Sequence, residues 1–152
     1  MPVDPSVIGT ELQPTDLTID SGRLRFFAKA IGETDPVFTD VEAAKSAGHP
    51  NLPVPPTFLF SIELERPDPF DWVSSLGIDL RRVLHGEQRF VYHCLAYAGD
   101  AVTANPRIVD VYSKKGGALE FVVKRTAVVR ADGRLLADLE SVLVVRNPEE
   151  QS

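Results

Sequence analysis

The chain has 152 residues, of which 43% are hydrophobic, so it is long enough for one domain with a proper core and too short to suggest two. Its formal net charge is -6 and its basic residues are scattered. A nucleic-acid partner is therefore not expected, because phosphate binding needs a clustered basic face. No apolar run approaches the roughly 20 residues that span a bilayer, and Asp4 and Pro5 stand where a signal peptide needs basic and then apolar residues.

Cys94 is the only cysteine in the sequence, which excludes an internal disulfide and a thiolate metal cluster. Together with the absence of a membrane or export signal, this predicts a soluble, cytoplasmic protein made of a single domain over residues 1–152.

The first half of the chain carries helix signals. After a proline-containing arm, a short strand is predicted at 17–19, followed by a helix that Asp20 or Ser21 caps and that ends at Gly32. Thr39 and Glu42 have the spacing of a capping box, which predicts a second short helix through Ala47.

Residues 49–56 contain four prolines and are predicted to be extended and stiff. The next segment, 57–65, is predicted to be a helix with an apolar start, as a helix buried inside a curved sheet requires. Residues 68–76 are expected to add a further helical turn or two.

From Val83 onward the apolar pattern changes to a period of two, which predicts strands over 83–97, 101–112 and 119–145, the last broken by a turn. Asp132-Gly133 suits a type I′ hairpin turn. Strands joined in sequence by short turns predict an antiparallel sheet, and helices followed by such a sheet give an α+β fold class.

Three segments together resemble the MaoC-like hydratase/dehydratase family, in its branch of dehydratase N-terminal domains. They are Gly-Glu-Thr-Asp-Pro-Val-Phe-Thr-Asp at 32–40, Pro-Pro-Thr at 55–57, and Leu-His-Gly-Glu-Gln-Arg-Phe-Val-Tyr-His at 84–93. The resemblance implies a hot dog fold, in which an antiparallel sheet wraps around a central helix. It also implies hydration or dehydration of an acyl thioester carried on coenzyme A or acyl carrier protein, with no other cofactor.

The first segment departs from the family's catalytic motif, Gly-Asp-x-Asn-Pro-(Ile/Leu)-His. Glu33 occupies the position of the Asp, Asp35 that of the Asn and Phe38 that of the His. Because Phe38 can neither accept nor donate a proton, the acid-base dyad is broken. Glu33 and Asp35 are either catalytic carboxylates or ordinary residues of a helix exit and turn.

The second segment lies where catalytic relatives open the central helix with His-Gly and use a backbone N–H to hold the thioester carbonyl. Pro56 has no N–H, so that role carries over to Thr57, whose alternative is a plain helix N-cap. The positions expected to contact substrate are Phe38, His49, Pro55, Pro56, Thr57 and Gly86.

The histidines are alternative proton carriers. His85, near Glu87, is either catalytic or a structural residue at the start of a strand, and His49 lies near the expected channel mouth or is a solvated loop residue. His93 is expected at the surface or an interface. Three histidines without His-Glu-x-x-His spacing argue against a catalytic metal.

These residues lead to three functional hypotheses. The first is a dehydratase subunit that shapes the acyl channel while a second hot dog subunit supplies Asp and His. The second is a non-catalytic homodimer that binds acyl-CoA or has a regulatory role. The third is an active homodimer that uses Glu33 or Asp35 with His85.

Overall fold

A computed structural model describes residues 2–148. The predicted domain over 1–152 therefore includes Met1 and residues 149–152, which lie outside the described residues. Among the described residues, no helix is long and apolar enough to cross a membrane.

Two of the predicted helices form at the amino-terminal end. Helix α1 spans Ser21–Ala30, and the Asp20 side chain caps it by accepting a hydrogen bond from the Arg23 N–H. Helix α2 spans Val41–Ser46, one residue later than the capping-box hypothesis predicts. That hypothesis is wrong because Asp40, and not Thr39, accepts the first N–H groups of the helix, and an ionised carboxylate is the stronger acceptor.

The predicted helix at 57–65 forms as two consecutive 3₁₀ turns, Phe58–Ser61 and Glu63–Glu65. Its backbone hydrogen bonds join residues three apart, as from the Ile62 N–H to the Leu59 carbonyl. The predicted burial is confirmed, since Phe58, Leu59 and Ile62 are all at most 4% exposed. This central segment is followed by α3, Asp71–Ser75, as the sequence indicates.

Five antiparallel strands form one sheet: β1 (Thr15–Thr18), β2 (Val83–Tyr92), β3 (Ala101–Lys114), β4 (Leu119–Arg130) and β5 (Leu135–Arg146). Their order across the sheet is β1-β3-β4-β5-β2. Strand β1 lies slightly before its predicted place at 17–19, and β2 ends at Tyr92 instead of continuing to 97.

The sheet contains a β3-β4-β5 meander, but β2 pairs with β5 and not with its sequence neighbour β3. Residues 93–100 instead leave the sheet and run beside the proline segment, where the Val54 N–H donates to the Ala96 carbonyl. The expectation of four strands joined consecutively is therefore wrong for β2, which becomes an edge strand.

The hairpin between β4 and β5 turns at Asp132-Gly133, as predicted, but the turn is not type I′. That turn type needs positive φ at both central residues, whereas Gly133 has a φ of 88° and Asp132 is not in the positive-φ region. The Asp132 carboxylate instead accepts a hydrogen bond from the Arg134 N–H, which holds the turn without that conformation.

The core has two parts. The larger one joins α1, α2 and the central segment to the inner face of the sheet, and the smaller one places Trp72 and Val73 of α3 against Ile108, Val122 and Leu143. The α+β prediction is confirmed, because one face of an antiparallel sheet is covered by the helical segments.

Candidate functional site

The carboxylates of Glu33 and Asp35 both bind backbone N–H groups of the turn in which they lie. Glu33 Oε1 accepts from the Asp35 N–H at 3.0 Å, and Asp35 Oδ1 accepts from the Val37 N–H at 3.0 Å. Asp35 thereby caps the 3₁₀ turn Pro36–Phe38, at whose end Phe38 lies half-buried. These contacts give both carboxylates a structural role, and their catalytic role stays a prediction.

Thr57 lies where the proline segment meets the central segment. Pro55 is buried, whereas Pro56 and Thr57 are exposed. The Thr57 side chain makes no cap hydrogen bond, so the plain side-chain N-cap is wrong. The Thr57 N–H has no hydrogen-bond acceptor among residues 2–148, which leaves it available to an external oxygen.

His49 is held beside the proline segment. Its Nδ1 lies 3.0 Å from the Tyr97 hydroxyl. In the same segment the side-chain amide of Asn51 donates a hydrogen bond to the Ala98 carbonyl. His49 is therefore half-buried and hydrogen-bonded, and not a freely solvated loop residue.

His85, Gly86 and Glu87 form a β-bulge in the edge strand. His85 pairs with Leu143 and Glu87 with the adjacent Val142, so Gly86 is the extra residue. A Cβ atom at Gly86 would lie 2.7 Å from Val144 Cγ2, which explains the glycine.

The bulge places the His85 and Glu87 side chains on opposite faces of the sheet, because their partners are consecutive residues of β5. His85 Nε2 lies 3.0 Å from the Glu87 carbonyl oxygen, and its ring stacks on Phe60 at 5.4 Å. The Glu87 carboxylate instead lies 3.5 Å from Arg89. A His85–carboxylate pair with Glu87 is therefore not formed. Within residues 2–148, no hydrogen bond or ion pair joins His85 to Glu33 or Asp35 either.

An apolar cleft of about 430 Å³ lies between the inner face of the sheet and the segment from Phe60 to Trp72. His85 is one of its walls. The apolar lining is Phe60, Leu64, Pro69, Phe70, Trp72, Leu80, Val83 and Leu143, and the polar lining is Glu63, His85, Lys124 and Ser141. Apart from His85, none of these residues was a predicted site residue, because the lining comes from segments far apart in the chain.

An ion pair lies in the wall of this cleft. Lys124 Nζ lies 3.0 Å from Glu63 Oε1 and 4.9 Å from the centre of the Trp72 ring. Glu63 Oε2 also accepts a hydrogen bond from the Thr126 hydroxyl at 3.0 Å. One feature of the sequence indicates a polar site here. Lys124 lies two residues after Val122 and two before Thr126 on the inner face of β4, where a period of two predicts apolar side chains.

Strand β2 forms one edge of the sheet, next to the cleft, and carries exposed apolar residues. Leu84 is 50% exposed and Val91 55% exposed. Partial burial raises the pKa of Tyr92, at the end of the strand, to about 12. His93 is exposed, as predicted, and its Nε2 lies 2.8 Å from an Asp138 carboxylate oxygen. Unpaired edge strands with apolar side chains are typical sites of strand pairing with another chain.

Comparison with known structures supports the same architecture. The C-terminally truncated HadBC complex of Mycobacterium tuberculosis, a 3R-hydroxyacyl-ACP dehydratase, superposes with a TM-score of 0.74 and 26% identity, over 94% of this chain and 99% of that chain. A MaoC-like dehydratase superposes with a TM-score of 0.81 over 95% of this chain and 44% of that chain. Its identity is 18%, so it supports the fold alone.

Sequence comparison gives the family. A family model described as "FAS1-like, dehydratase domain region" matches residues 6–139. A UPF0336 protein of Saccharopolyspora erythraea is 34% identical over 151 residues, which are 99% of this chain and 96% of the relative. Another, of Leifsonia xyli, is 37% identical over 150 residues, which are 98% and 99% of the two chains. The chain therefore belongs to the UPF0336 family, and it carries a dehydratase domain region with the MaoC-like hot dog fold.

Proposed function

We propose that this chain is the channel-forming subunit of an (R)-specific enoyl thioester hydratase, equivalently a 3-hydroxyacyl thioester dehydratase. In this proposal a second hot dog subunit supplies the catalytic Asp and His. The observation that carries it is the coexistence of an apolar cleft with a motif whose proton-transferring His position is Phe38.

The contacts of Glu33, Asp35 and His85 bear on acid-base catalysis. Dehydration removes a proton from the α-carbon and hydroxide, as water, from the β-carbon, so a base and an acid must both reach the substrate. Glu33 and Asp35 are engaged with turn N–H groups, and His85 stacks on Phe60. A chain with these contacts is poorly equipped to provide both groups itself.

The cleft supports an acyl-binding role. Eight apolar residues line it, and its volume of about 430 Å³ falls in the range of small-molecule sites. Burial of an alkyl chain there is worth about 0.8 kcal/mol per methylene group. At the other end of the substrate, the free Thr57 N–H would donate to the thioester carbonyl oxygen and stabilise the charge that develops on it.

The partner is proposed from the edge strand and from a relative. Among residues 2–148, no strand pairs with the outer edge of β2, which lies beside the cleft. A second hot dog domain paired there would place its own motif near the acyl chain. The HadBC dehydratase, 26% identical, is a complex. Its substrate is an acyl carrier protein thioester, which makes that carrier, beside coenzyme A, a candidate for this chain.

Co-purification tests the proposal. The chain is expressed with a hot dog subunit from the same genome that carries Gly-Asp-x-Asn-Pro-x-His, and the complex is assayed with crotonyl-CoA. We expect activity in the complex that is lost when the partner's catalytic His is replaced by Ala. Activity that survives this replacement would contradict the proposal.

A homodimer that binds acyl thioesters is the second candidate, and the charges of β2 favour it. If two copies pair antiparallel about Gln88, Glu87 of each copy faces Arg89 of the other, which gives two opposite-charge cross-strand pairs. Sedimentation of the purified chain separates the two candidates, because only the homodimer requires a stable dimer without a partner.

A further inference from the structure

The ion pair of Lys124 and Glu63 is more polar than an alkyl-binding cleft requires. The two side chains are only 11% and 17% exposed. Burying both charges costs desolvation that an apolar pair of similar size would avoid, so a buried ion pair is weak evidence for stability. Because both residues line the cleft, what the cleft binds is the better explanation for the pair.

The pair retains unused hydrogen-bonding capacity. Among residues 2–148, Glu63 is the only hydrogen-bond acceptor for the Lys124 ammonium group, which has three N–H donors. Glu63 accepts from Lys124 and from Thr126, and a carboxylate has about four acceptor positions. The pair therefore offers a donor and an acceptor to the same bound group.

The other polar residues of the cleft already have partners. His85 Nε2 contacts the Glu87 carbonyl, and the Ser141 hydroxyl donates to Gln88 Oε1 at 2.6 Å. The remaining wall is apolar. A polar group on a bound chain would therefore find its best partners at Lys124 and Glu63.

We infer that Lys124 and Glu63 determine acyl specificity by binding a hydroxyl group carried along the acyl chain, at a carbon beyond the one where water is added or removed. This inference rests on the proposed acyl-binding function. A hydroxyl group accepts from Lys124 and donates to Glu63 at once. A carbonyl uses only the first contact, and a carboxylate is repelled by Glu63. A plain alkyl chain removes water from the pair without replacing its hydrogen bonds.

The size of the preference follows from these contacts. A hydrogen bond to a charged group gains more than one between neutral groups, and a site that bonds a substrate hydroxyl discriminates against the analogue lacking it. Lys124 and Glu63 still satisfy each other when a plain alkyl chain is bound. We therefore expect the hydroxylated acyl chain to bind about tenfold more tightly than the plain one. Larger ratios of affinity are expected only where a buried polar group of the site is left without a hydrogen-bond partner.

Binding of defined probes to the purified chain tests the inference. The probes are decanoyl-CoA and its monohydroxy derivatives, with the hydroxyl group at each carbon from the third to the tenth. Trp72, the only tryptophan, lines the cleft and reports binding by fluorescence, and calorimetry provides a second readout. At least one derivative hydroxylated beyond the third carbon should bind about tenfold more tightly than decanoyl-CoA.

Variants connect this preference to the ion pair. In Lys124→Met/Glu63→Leu the preference should fall below about twofold, because the donor and the acceptor are both removed. The matched control is Arg125→Met/Glu140→Leu, which removes an ion pair between β4 and β5 on the opposite face of the sheet and should retain the preference. If the first variant does not fold, Lys124→Met/Glu63→Gln replaces it, since the amide oxygen of the glutamine can still accept from Thr126. This variant removes both charges but keeps a neutral amide, so its preference should fall clearly below that of the wild type without being abolished.

Three results would overturn the inference. They are equal binding of all probes, a preference only for the hydroxyl group at the third carbon, and a preference that survives in the Lys124→Met/Glu63→Leu variant. Each of these leaves the acyl-binding function in place. Failure of every probe to bind, in both fluorescence and calorimetry, would overturn that function and the inference with it.

Discussion

Replacement of Leu59 by Ala tests the placement of the central segment. Leu59 is 1% exposed and belongs to the larger core cluster, so truncation leaves a cavity against the inner face of the sheet. Leu→Ala changes at such positions cost about 2–5 kcal/mol of the free energy of unfolding. In a chain of this length, each kcal/mol of lost stability lowers the melting temperature by about 2–4 °C. The melting temperature of Leu59→Ala should therefore fall by about 4–20 °C.

Leu64→Ala in the same segment is the matched control. Leu64 is 43% exposed, and removal of its partly solvated side chain should cost only about 1 kcal/mol. Urea unfolding followed by circular dichroism measures both changes, and an unchanged slope shows that the midpoint shift reports stability. Equal shifts for Leu59→Ala and Leu64→Ala would refute the assignment of this segment to the core.

Three further predictions concern the edge strand and the broken motif. Gly86→Ala should lower the free energy of unfolding by about 1–3 kcal/mol in urea titrations, because its Cβ would press on Val144 Cγ2; unchanged stability would contradict the bulge geometry. Tyr92 should ionise near pH 12 by ultraviolet absorbance, so the fold loses stability as pH rises from the ordinary value of 10 through 12, and this loss should be absent in Tyr92→Phe. Glu33→Asp/Phe38→His should give measurable crotonyl-CoA hydration, since positioned acid-base groups contribute about 10²–10⁴-fold, and no gain would indicate that these positions do not face the substrate.

Local patterns predicted the parts of the fold that depend on nearby residues. The spacing of apolar residues after Asp20 located α1, and the apolar run at 58–62 located buried residues. The 3₁₀ geometry was not predictable, because the same apolar run suits either kind of helix. The Asp40 cap was not predicted because Thr39 and Glu42 have the spacing of a capping box. In the structure the neighbouring Asp40 carboxylate, a stronger acceptor, caps the helix instead.

The pairing of strands far apart in the chain could not be predicted from the sequence patterns. Strand β2 pairs with β5, about 50 residues away by the register of Arg89 with Glu140, and no local turn signal records that pairing. The cleft was missed for the same reason, since Glu63 and Lys124 meet only after the sheet has formed. The motifs identified Glu33, Asp35 and His85 as candidate residues. They could not predict that each side chain hydrogen-bonds to a different backbone group and not to the side chain of another candidate.

Crotonyl-CoA hydration by the purified wild-type chain, measured beside His85→Ala, tests the central claim most directly. Both proteins alone should hydrate crotonyl-CoA at close to the uncatalysed rate, and activity should appear only with a hot dog subunit that carries Asp and His. Turnover by the wild-type chain alone at about 1–10³ s⁻¹, lost in His85→Ala, would refute the role of a channel-forming subunit without its own acid-base pair. Such a result would support an active homodimer that uses Glu33 or Asp35 with His85.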